Sequence, residues 1–307
     1  MTSLVVAIPS YRRPQGLSRL LEAIARIGLD LRVVVADNDG DRAEGIGVVN
    51  AARERGYPHP LEAIAVAERG IAPARNALVA HIIEDERVRF VAMIDDDECP
   101  KQGWLEALQA TQTATGAHVV GGPVRRAFEI RVPKHLEEVN NYGPGRFKTG
   151  PVEFIDATSN VLFDALVFRE SEGPWFDHFF ALTGGEDKDF MMSLRLRGKR
   201  FAWADEAEVE ETLPASRCNT RWALQRAFST GNSDMLVNLR RRPPEFGVVS
   251  EAIKMSGALA LAIPDLTLFA FLPARRFNGL RLMARVLGKL TAVVGRRHFE
   301  YRTIHGA

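Results

Sequence analysis

Three consecutive aspartates, Asp95-Asp96-Asp97, follow the apolar run Val88–Ile94 and are the strongest chemical signal in the chain. Alternate residues of an extended segment point the same way, so Asp95 and Asp97 can share one hard divalent cation. Without a cation, the neighbouring carboxylates repel one another. A solvated acidic turn that caps the next helix is the alternative interpretation. The apolar strand in front of the aspartates favours a site for Mg²⁺ or Mn²⁺, which carboxylates and substrate phosphates hold together.

Two other apolar runs end in polar clusters. Leu4–Ile8 runs into Pro9-Ser10-Tyr11-Arg12-Arg13, and Arg32–Ala36 runs into Asp37-Asn38-Asp39. Ligands of open α/β sheets bind beyond the carboxyl ends of the strands, where such clusters meet. The three polar strand ends therefore predict a binding site at one edge of a sheet.

The elements that must position these clusters alternate between strand and helix along the first 122 residues. The strands are predicted at Leu4–Ile8, Arg32–Ala36, Leu61–Ala67, Val88–Ile94 and His118–Gly122. Helical spacing of apolar residues predicts helices at Leu17–Ile27, Ile46–Arg55, Pro73–Glu86 and Trp104–Thr115. This alternation predicts an α/β sandwich with a mostly parallel sheet flanked by helices.

The alternation stops after Pro123, where loops and short elements follow. Strands are predicted at Glu153–Ala157, Val161–Phe163, Arg200–Ala204 and Glu208–Thr212, with a loop at Tyr142–Gly145. Helices are predicted at Glu186–Arg197, Asn219–Leu239, Glu251–Pro273 and Phe277–Val294. The last two helices form a C-terminal helical extension.

Composition narrows the class of protein. The 307 residues are 46% hydrophobic and 26% charged, which is typical of a folded globular protein. Two cysteines, Cys99 and Cys218, cannot build a disulfide framework and fit a reducing compartment. Neither a secretory leader nor a transmembrane span is predicted. The residues after Pro273 include eight Lys or Arg and one acid, whereas the preceding residues are acidic overall, which argues against a nucleic-acid binder.

Five motifs in order resemble those of family 2 glycosyltransferases with the GT-A fold, across residues 3–235. They are Ile8–Arg13, Val35–Asn38, Glu68–Asn76, Ile94–Pro100 with Trp104-Leu105, and Gly184–Phe190. Trp203–Ala207 and Arg221-Trp222 are further similar to a branch that builds bacterial exopolysaccharides. The resemblance implies a Rossmann-like transferase domain over residues 1–240, followed by a basic, apolar helical tail over residues 241–307.

The resemblance implies a donor site for a nucleotide sugar, with uridine as the expected base. Four residues would hold the base, Asp37 by accepting the imide N–H of uracil: Pro9, Tyr11, Arg13 and Asp37. Tyr11 could equally be a structural aromatic, and Arg75 a surface ion pair rather than a contact to ribose and diphosphate. Gly70 would let the backbone approach the nucleotide. Asp95 and Asp96 would contact the nucleotide, and Asp95 and Asp97 the metal that bridges its phosphates.

Gly184-Gly185-Glu186-Asp187 is the second chemical centre. Two glycines let a chain approach a ligand closely, and acids that open a helix are favoured in their ionised form by the helix dipole. Asp187 is the candidate general base for the acceptor hydroxyl, and Glu186 is a candidate contact to acceptor hydroxyls. A single base opposite the leaving group implies one displacement with inversion. Both acids could instead cap the helix, and Asp189 is either an acceptor contact or a cap.

The helix after residue 219 carries possible contacts to the diphosphate or the acceptor. These are Arg221, Trp222 and Arg226. Processive relatives carry Gln-x-x-Arg-Trp at this place, whereas this chain has Arg-Trp-Ala-Leu-Gln-Arg. The departure favours the addition of one sugar per encounter. Packing and solvated charge remain the alternative roles for these side chains.

Two questions stay open at the level of sequence. The basic, apolar tail either packs on the transferase domain or lies on a membrane surface, with its arginines on anionic headgroups. The function is predicted to be inverting, metal-dependent hexosyl transfer from a nucleotide sugar to a glycan or a polyisoprenyl-linked acceptor, at the cytoplasmic face of the inner membrane. The alternatives are a non-catalytic scaffold in a polysaccharide assembly complex and a nucleotidyltransferase.

Overall fold

The computed structural model describes residues 3–139 and 147–298. The predicted loop at Tyr142–Gly145 and the basic residue Arg302 lie outside the described residues. The strands are β1 Leu4–Ser10, β2 Arg32–Asp37, β3 Leu61–Ala65, β4 Phe90–Met93, β5 Glu98–Pro100, β6 Val119–Gly121, β7 Val124–Phe128, β8 Gly150–Val152, β9 Val161–Asp164, β10 Phe201–Trp203 and β11 Val209–Leu213. The helices are α1 Pro14–Ile24, α2 Glu44–Glu54, α3 Ile71–Ile83, α4 Trp104–Thr115, α5 Lys134–Val139, α6 Leu166–Arg169, α7 Glu186–Leu196, α8 Thr220–Arg241, α9 Val248–Leu266 and α10 Pro273–Val293.

The main sheet confirms the predicted α/β architecture. Over the described residues it has eight strands in the order β3-β2-β1-β4-β9-β6-β10-β8. Only β9 and β8 run against the other six, since β9 is antiparallel to β4 and β6, and β8 is antiparallel to β10. The sheet is therefore mostly parallel, and the carboxyl ends of β1, β2 and β4 lie side by side.

The two faces of the sheet bury separate hydrophobic clusters, because successive side chains of a strand point to opposite faces. In β1, Val5 and Ala7 contribute to one cluster, and Leu4, Val6 and Ile8 contribute to the other. Helices cover both faces, so β1 is buried along its whole length. This double burial explains why the strand reads as a continuous apolar run rather than as an alternating one.

A small second sheet was not predicted. Its strands have the order β5-β11-β7, with β11 antiparallel to β5 and parallel to β7. The predicted strand at Glu153–Ala157 is wrong, because the strand that pairs with β10 is Gly150–Val152. The small sheet brings Glu98, which directly follows the three aspartates, opposite Glu211.

The C-terminal extension packs on the rest of the fold through the contact of α10 with α8. A Cβ on Gly231 would lie 2.1 Å from the carbonyl oxygen of Arg285, and one on Gly288 would lie 2.0 Å from that of Phe228. Such backbone contact requires glycine at both places. Ala223 clusters with Phe277, and Val237 clusters with Ala292, so the two helices run in the same direction. Among residues 3–139 and 147–298, no helix combines the length and apolar composition needed to cross a membrane.

Candidate active site

A cavity of about 790 Å³ opens where β1 and β4 end, beside the N-termini of α3 and α7. Most of the predicted site residues line it: Pro9, Tyr11, Arg13, Gly70, Arg75, Asp95, Asp96, Asp97, Glu186, Asp187, Trp222 and Arg226. The two acidic motifs, which are about ninety residues apart in the chain, therefore face one cavity. Asp37 and Arg221 are not among its lining residues.

Asp96 joins the loop after β1 to the loop after β4. Its buried carboxylate accepts hydrogen bonds from the Ser10 hydroxyl at 3.0 Å, the Tyr11 N–H at 3.1 Å and the Arg13 guanidinium at 3.0 Å. Burial raises the pKa of Asp96, and the charge and hydrogen bond of Arg13 oppose that rise. Although Asp96 lines the cavity, its carboxylate is already satisfied by these three donors. Its visible role is to hold the two loops together.

Asp95 and Asp97 flank Asp96, and both line the cavity. Arg75 lies 3.2 Å from Asp95, and Arg13 lies 2.7 Å from Asp97. Burial raises the pKa of Asp97 to about 7, and the charges of Asp96, Glu211 and Asp95 add to the rise. The carboxyls of this loop therefore repel one another, and Arg13 opposes the rise in the pKa of Asp97.

The acidic loop fits a divalent cation by the chemistry of its donors. Asp95 and Asp97 offer hard carboxylate oxygens next to a cavity large enough for phosphate and water. Within the described part of the chain, no three His, Cys, Asp or Glu side chains are grouped to hold an ion by themselves. An ion held here would complete its shell with phosphate oxygens and water, as Mg²⁺ commonly does.

Arg75 connects the two acidic motifs. The guanidinium is buried, and it contacts Glu186 at 2.6 Å and Asp95 at 3.2 Å. Neither contact was predicted, because the resemblance implied a role for Arg75 toward ribose and diphosphate. Arg75, in the second turn of α3, thus ties the start of α7 to the aspartate loop.

Glu186 and Asp187 open α7 and differ in their surroundings. Glu186 is buried, and its Oε2 atom has no hydrogen-bond partner. Burial raises the pKa of Glu186 to about 8, and the neighbouring charge of Asp187 adds to the rise, which Arg75 opposes. Asp187 is half-buried, and its Oδ1 accepts the Lys188 N–H at 2.7 Å. Burial also raises the pKa of Asp187.

The two glycines before Glu186 have left-handed backbone conformations. Gly185 has a φ of +102°, in the left-handed region that favours glycine. A Cβ there would lie 3.0 Å from the Ser233 Cβ. Gly70 likewise has a φ of +138°, and its Cβ would meet Ala181 rather than open space. Gly70 also lines the cavity, whereas Gly185 does not.

Asp37 differs from the sequence-based expectation. Its buried carboxylate accepts hydrogen bonds from the N–H groups of Asp39 at 3.0 Å and Ile46 at 2.9 Å, away from the cavity. The next residue, Asn38, lines the cavity instead and accepts the Gly70 N–H at 2.7 Å. Asp37 therefore shapes the loop after β2, and it is not among the residues that line the cavity.

Tyr11 lies between two arginines at the rim of the cavity. The guanidinium of Arg12 is 5.1 Å from the ring centroid, and that of Arg69 is 5.5 Å from it. Arg12 is itself held by Asp39 at 3.1 Å. These cation–π contacts fix the ring in place, so Tyr11 has a packing role beside any contact to a ligand.

The wall contributed by α8 carries Trp222 and Arg226, whereas the exposed Arg221 points elsewhere. Sequence reasoning missed two arginines on this side, Arg126 and Arg217, which also line the cavity. Arg217 lies 5.9 Å from the Trp222 ring centroid and 3.9 Å from the carboxylate of Asp97. Arg217 belongs to a short 3-10 turn between β11 and α8, where no periodic pattern singles it out.

Asp189 is neither an acceptor contact nor a cap. Its carboxylate is fully buried and pairs with Arg241, with Nε 2.8 Å from Oδ1. Lys188 pairs in turn with Asp234 at 2.6 Å, and Arg285 reaches the same aspartate from α10 at 2.6 Å. The residues that follow Asp187 therefore anchor α7 to α8 and to the C-terminal extension.

Comparisons with known proteins show what the chain is similar to. The family model "Glycosyl transferase family 2" matches residues 5–172. The succinoglycan biosynthesis protein ExoM of Rhizobium meliloti (strain 1021) is 29% identical over 241 residues, which cover 74% of this chain and 72% of that protein.

Two solved structures share the fold at low sequence identity. The mannosyltransferase PcManGT from Pyrobaculum calidifontis, in complex with GDP-Man and Mn²⁺, has a TM-score of 0.64 and 15% identity and covers 96% of this chain and 88% of its own. S. aureus TarS 1-349, in complex with UDP, has a TM-score of 0.55 and 14% identity, and the match covers 96% of this chain and 92% of TarS 1-349. Because the family model covers more than half of the residues, the chain belongs to glycosyl transferase family 2 and is a glycosyltransferase.

Proposed function

We propose that this glycosyltransferase moves one hexosyl residue from a nucleotide sugar to a glycan or lipid-linked acceptor, with inversion and with the help of a divalent cation. The observation that carries the proposal is the Arg75 bridge, which contacts Asp95 at 3.2 Å and Glu186 at 2.6 Å within one cavity. It supports an arrangement in which a donor site and a base site face the same reacting carbon. The relative named for succinoglycan biosynthesis supports a role in bacterial exopolysaccharide or envelope synthesis.

The donor would lie along the loops after β1 and β4. Solved neighbours were crystallised with UDP, with UDP-GlcNAc and with GDP-Man, which supports a nucleotide-sugar donor here. Pro9, Tyr11 and Asn38 line the side of the cavity where the strand ends meet, and would contact the nucleoside. We propose uridine as the base. Asn38 lies nearer to the cavity than Asp37, although its amide already bonds to the backbone of Val66, Glu68 and Gly70.

Asp95 and Asp97 would hold Mg²⁺ or Mn²⁺ against the donor diphosphate. A neighbour crystallised with GDP-Man and Mn²⁺ supports this assignment. The ion would supply electrostatic stabilisation of charge that develops on the leaving nucleoside diphosphate. Arg13 and Arg75 position the two carboxylates by direct contact, so the donor end of the site is organised before substrate arrives.

Asp187 would act as general base on the acceptor hydroxyl. Its carboxyl group lines the cavity at the first turn of α7 and is less buried than Glu186. Its raised pKa makes it a stronger proton acceptor than an ordinary aspartate, provided that it is ionised. Glu186 has a raised pKa and an unpartnered Oε2. It is better suited to donate a hydrogen bond to an acceptor hydroxyl when protonated, or to accept one from it when ionised. One base on one side supports a single displacement, and hence inversion.

The first test is donor hydrolysis. We would incubate the full chain with a panel of UDP-, GDP- and dTDP-linked sugars and Mn²⁺, and measure release of nucleoside diphosphate. The proposal expects one donor to be hydrolysed slowly, and expects EDTA to stop the reaction. Absence of hydrolysis and of binding for every donor would favour the non-catalytic scaffold, and release of pyrophosphate from a nucleoside triphosphate would favour a nucleotidyltransferase.

We also propose that transfer takes place at the cytoplasmic face of the inner membrane, on a polyisoprenyl-linked acceptor. The free cysteines Cys99 and Cys218 are consistent with a reducing compartment. A lipid-linked acceptor would explain why a glycosyltransferase carries a basic, apolar extension.

A further inference from the structure

The helix α9 has its polar and apolar sides reversed relative to a water-exposed helix. Its buried side chains are Glu251, Ala262 and Asp265, which fall on one face at a spacing of 11 and 3 residues. The rest of the helix surface presents apolar side chains: Ile253 lies on the side opposite the acids and Leu261 lies beside them, and each is 66% exposed. A surface helix normally buries its apolar stripe and exposes its charges. α9 therefore has the polarity expected of a helix whose outer side contacts an apolar phase.

The inward carboxylates are neutralised, so the reversal is built into the packing. Glu251 pairs with Lys289 of α10 at 2.7 Å and with Lys254 at 2.8 Å. Asp265 accepts a hydrogen bond from Asn278 at 2.7 Å and lies 3.3 Å from Arg275. Both acids have partners across the α9–α10 contact. Rotation of α9 to bury its leucines would separate the two carboxylates from these partners, and the loss of partners for buried charges destabilises a fold.

The apolar surface continues beyond α9. The turn between α9 and α10 exposes Leu268, Phe269, Phe271 and Leu272, of which Phe271 is 76% exposed. α10 adds a stripe at helical spacing: Met283, Leu287, Leu290 and Val294. We call this combined surface of α9, the turn and α10 the tail face. It exceeds the scattered single apolar residues that are normal on soluble surfaces.

The exposed charges that residues 248–298 contribute around the tail face are basic, because their two acids are buried in ion pairs with Lys254, Lys289 and Arg275. Residues 248–298 contain eight Lys or Arg and only two acids, Glu251 and Asp265, both of which are buried. Arg276 and Arg296 are exposed at opposite ends of α10. An apolar surface bordered by basic side chains is complementary to a bilayer with anionic headgroups.

The turn at the start of α10 brings one end of the tail face near the wall of the cavity. Phe277, at the start of α10, packs with Ala223 of α8, and Ala223 is adjacent to Trp222 on the cavity wall. The exposed turn that ends at Leu272 directly precedes this contact. A surface that rests on lipid through this turn would bring the cavity close to the headgroup layer.

From this geometry we infer that the tail face docks on the surface of an anionic lipid bilayer, with α9 and the turn in the interface and without crossing the membrane. The inference rests on the proposed function in one respect: docking would bring the enzyme to a lipid-linked acceptor. Vesicle binding and donor hydrolysis are separate measurements, so either can fail while the other holds.

The test is flotation of the full chain with vesicles of phosphatidylcholine alone or with 30% phosphatidylglycerol. The tail-face variant Ile253→Gln/Leu261→Gln/Phe271→Gln changes only exposed side chains, so folding is preserved. Its matched control is Ile130→Gln/Leu166→Gln/Leu196→Gln, which changes three exposed apolar residues on other elements. A charge variant, Arg276→Gln/Arg296→Gln, tests the headgroup contribution.

The wild-type protein should float with the anionic vesicles, and salt should weaken the binding. The tail-face variant should lose about tenfold or more in partitioning per residue, and the charge variant about fivefold per arginine. The control variant should bind like the wild type, and donor hydrolysis should be unchanged in all three variants. Indifference of the wild type to both vesicles would overturn the inference. So would a dimer in light scattering that the tail-face variant dissociates without any vesicle binding, because a second copy would then cover the surface.

Discussion

Asp187→Asn removes the proposed proton acceptor with little change in shape. The Lys188 N–H now donates to Oδ1 of Asp187 at 2.7 Å, and the amide oxygen of asparagine can accept the same hydrogen bond. Loss of that local cap would cost about 1 kcal/mol at most. Removal of the charge also relieves Glu186, whose pKa is raised in part by Asp187. We therefore expect a folded protein of nearly unchanged stability.

The catalytic cost should be much larger than the structural one. Loss of general-base catalysis costs about 10²–10⁴-fold in rate, so Asp187→Asn should lower kcat for donor hydrolysis or transfer by that factor. Donor binding should change little, since the aspartate loop and Arg75 are untouched. In the wild type, burial and, less strongly, Asp156 raise the pKa of Asp187, so the acid limb of kcat should lie above the usual range of an aspartate.

The assay pairs turnover with calorimetric donor binding, and Asp156→Asn is the matched control. Asp156 is an exposed carboxylate that lines the same cavity. The Asp156→Asn variant should retain most of the wild-type activity. If Asp187→Asn folds, binds donor and turns over at a nearly normal rate, the assignment of the base is refuted, and Glu186 becomes the next candidate.

Two further changes test the surroundings of the base by their effect on stability. Asp189→Ala leaves Arg241, which is 33% exposed, without its buried partner and should lower the free energy of unfolding by about 1–3 kcal/mol in urea titrations; a loss no larger than that of an exposed aspartate would contradict the buried ion pair. Because the folded pKa of Glu186 is raised, ionisation of Glu186 lowers stability as pH rises from its usual range to about 8. Glu186→Gln should therefore gain thermal stability relative to the wild type at pH 8 and less at pH 5.5, and a difference independent of pH would contradict the raised pKa.

The central sheet and the acidic motifs could be predicted because their signals are local. β1, β2 and β4 are apolar runs with polar ends, and the carboxyl ends of parallel strands meet at one edge. The strand β7, with the sequence Val-Arg-Arg-Ala-Phe, is neither an apolar run nor an alternating one, so its sequence does not mark it as a strand. It forms because β11 pairs with it from more than eighty residues away. Sequence patterns do not report a pairing at that distance.

Partners of the charged residues were the other part that sequence could not supply. A carboxylate that shapes a loop, as Asp37 does, has the same sequence context as one that binds a ligand. The partner of Asp189 is Arg241, fifty-two residues later in the chain. The reversed polarity of α9 was likewise hidden, since Glu251 and Asp265 read as solvent-exposed charges until α10 is packed against them.

The most direct test of the account is calorimetric titration of the wild type and Asp97→Asn with the nucleoside diphosphate of the active donor, in Mn²⁺ and in EDTA. We expect tight binding by the wild type only with Mn²⁺, because Asp95 and Asp97 would reach the diphosphate through the ion. Asp97→Asn should lose most of the metal-dependent affinity, whereas Asp187→Asn should keep it. Equal affinity of the wild type with and without metal would contradict a donor site built on the aspartate loop.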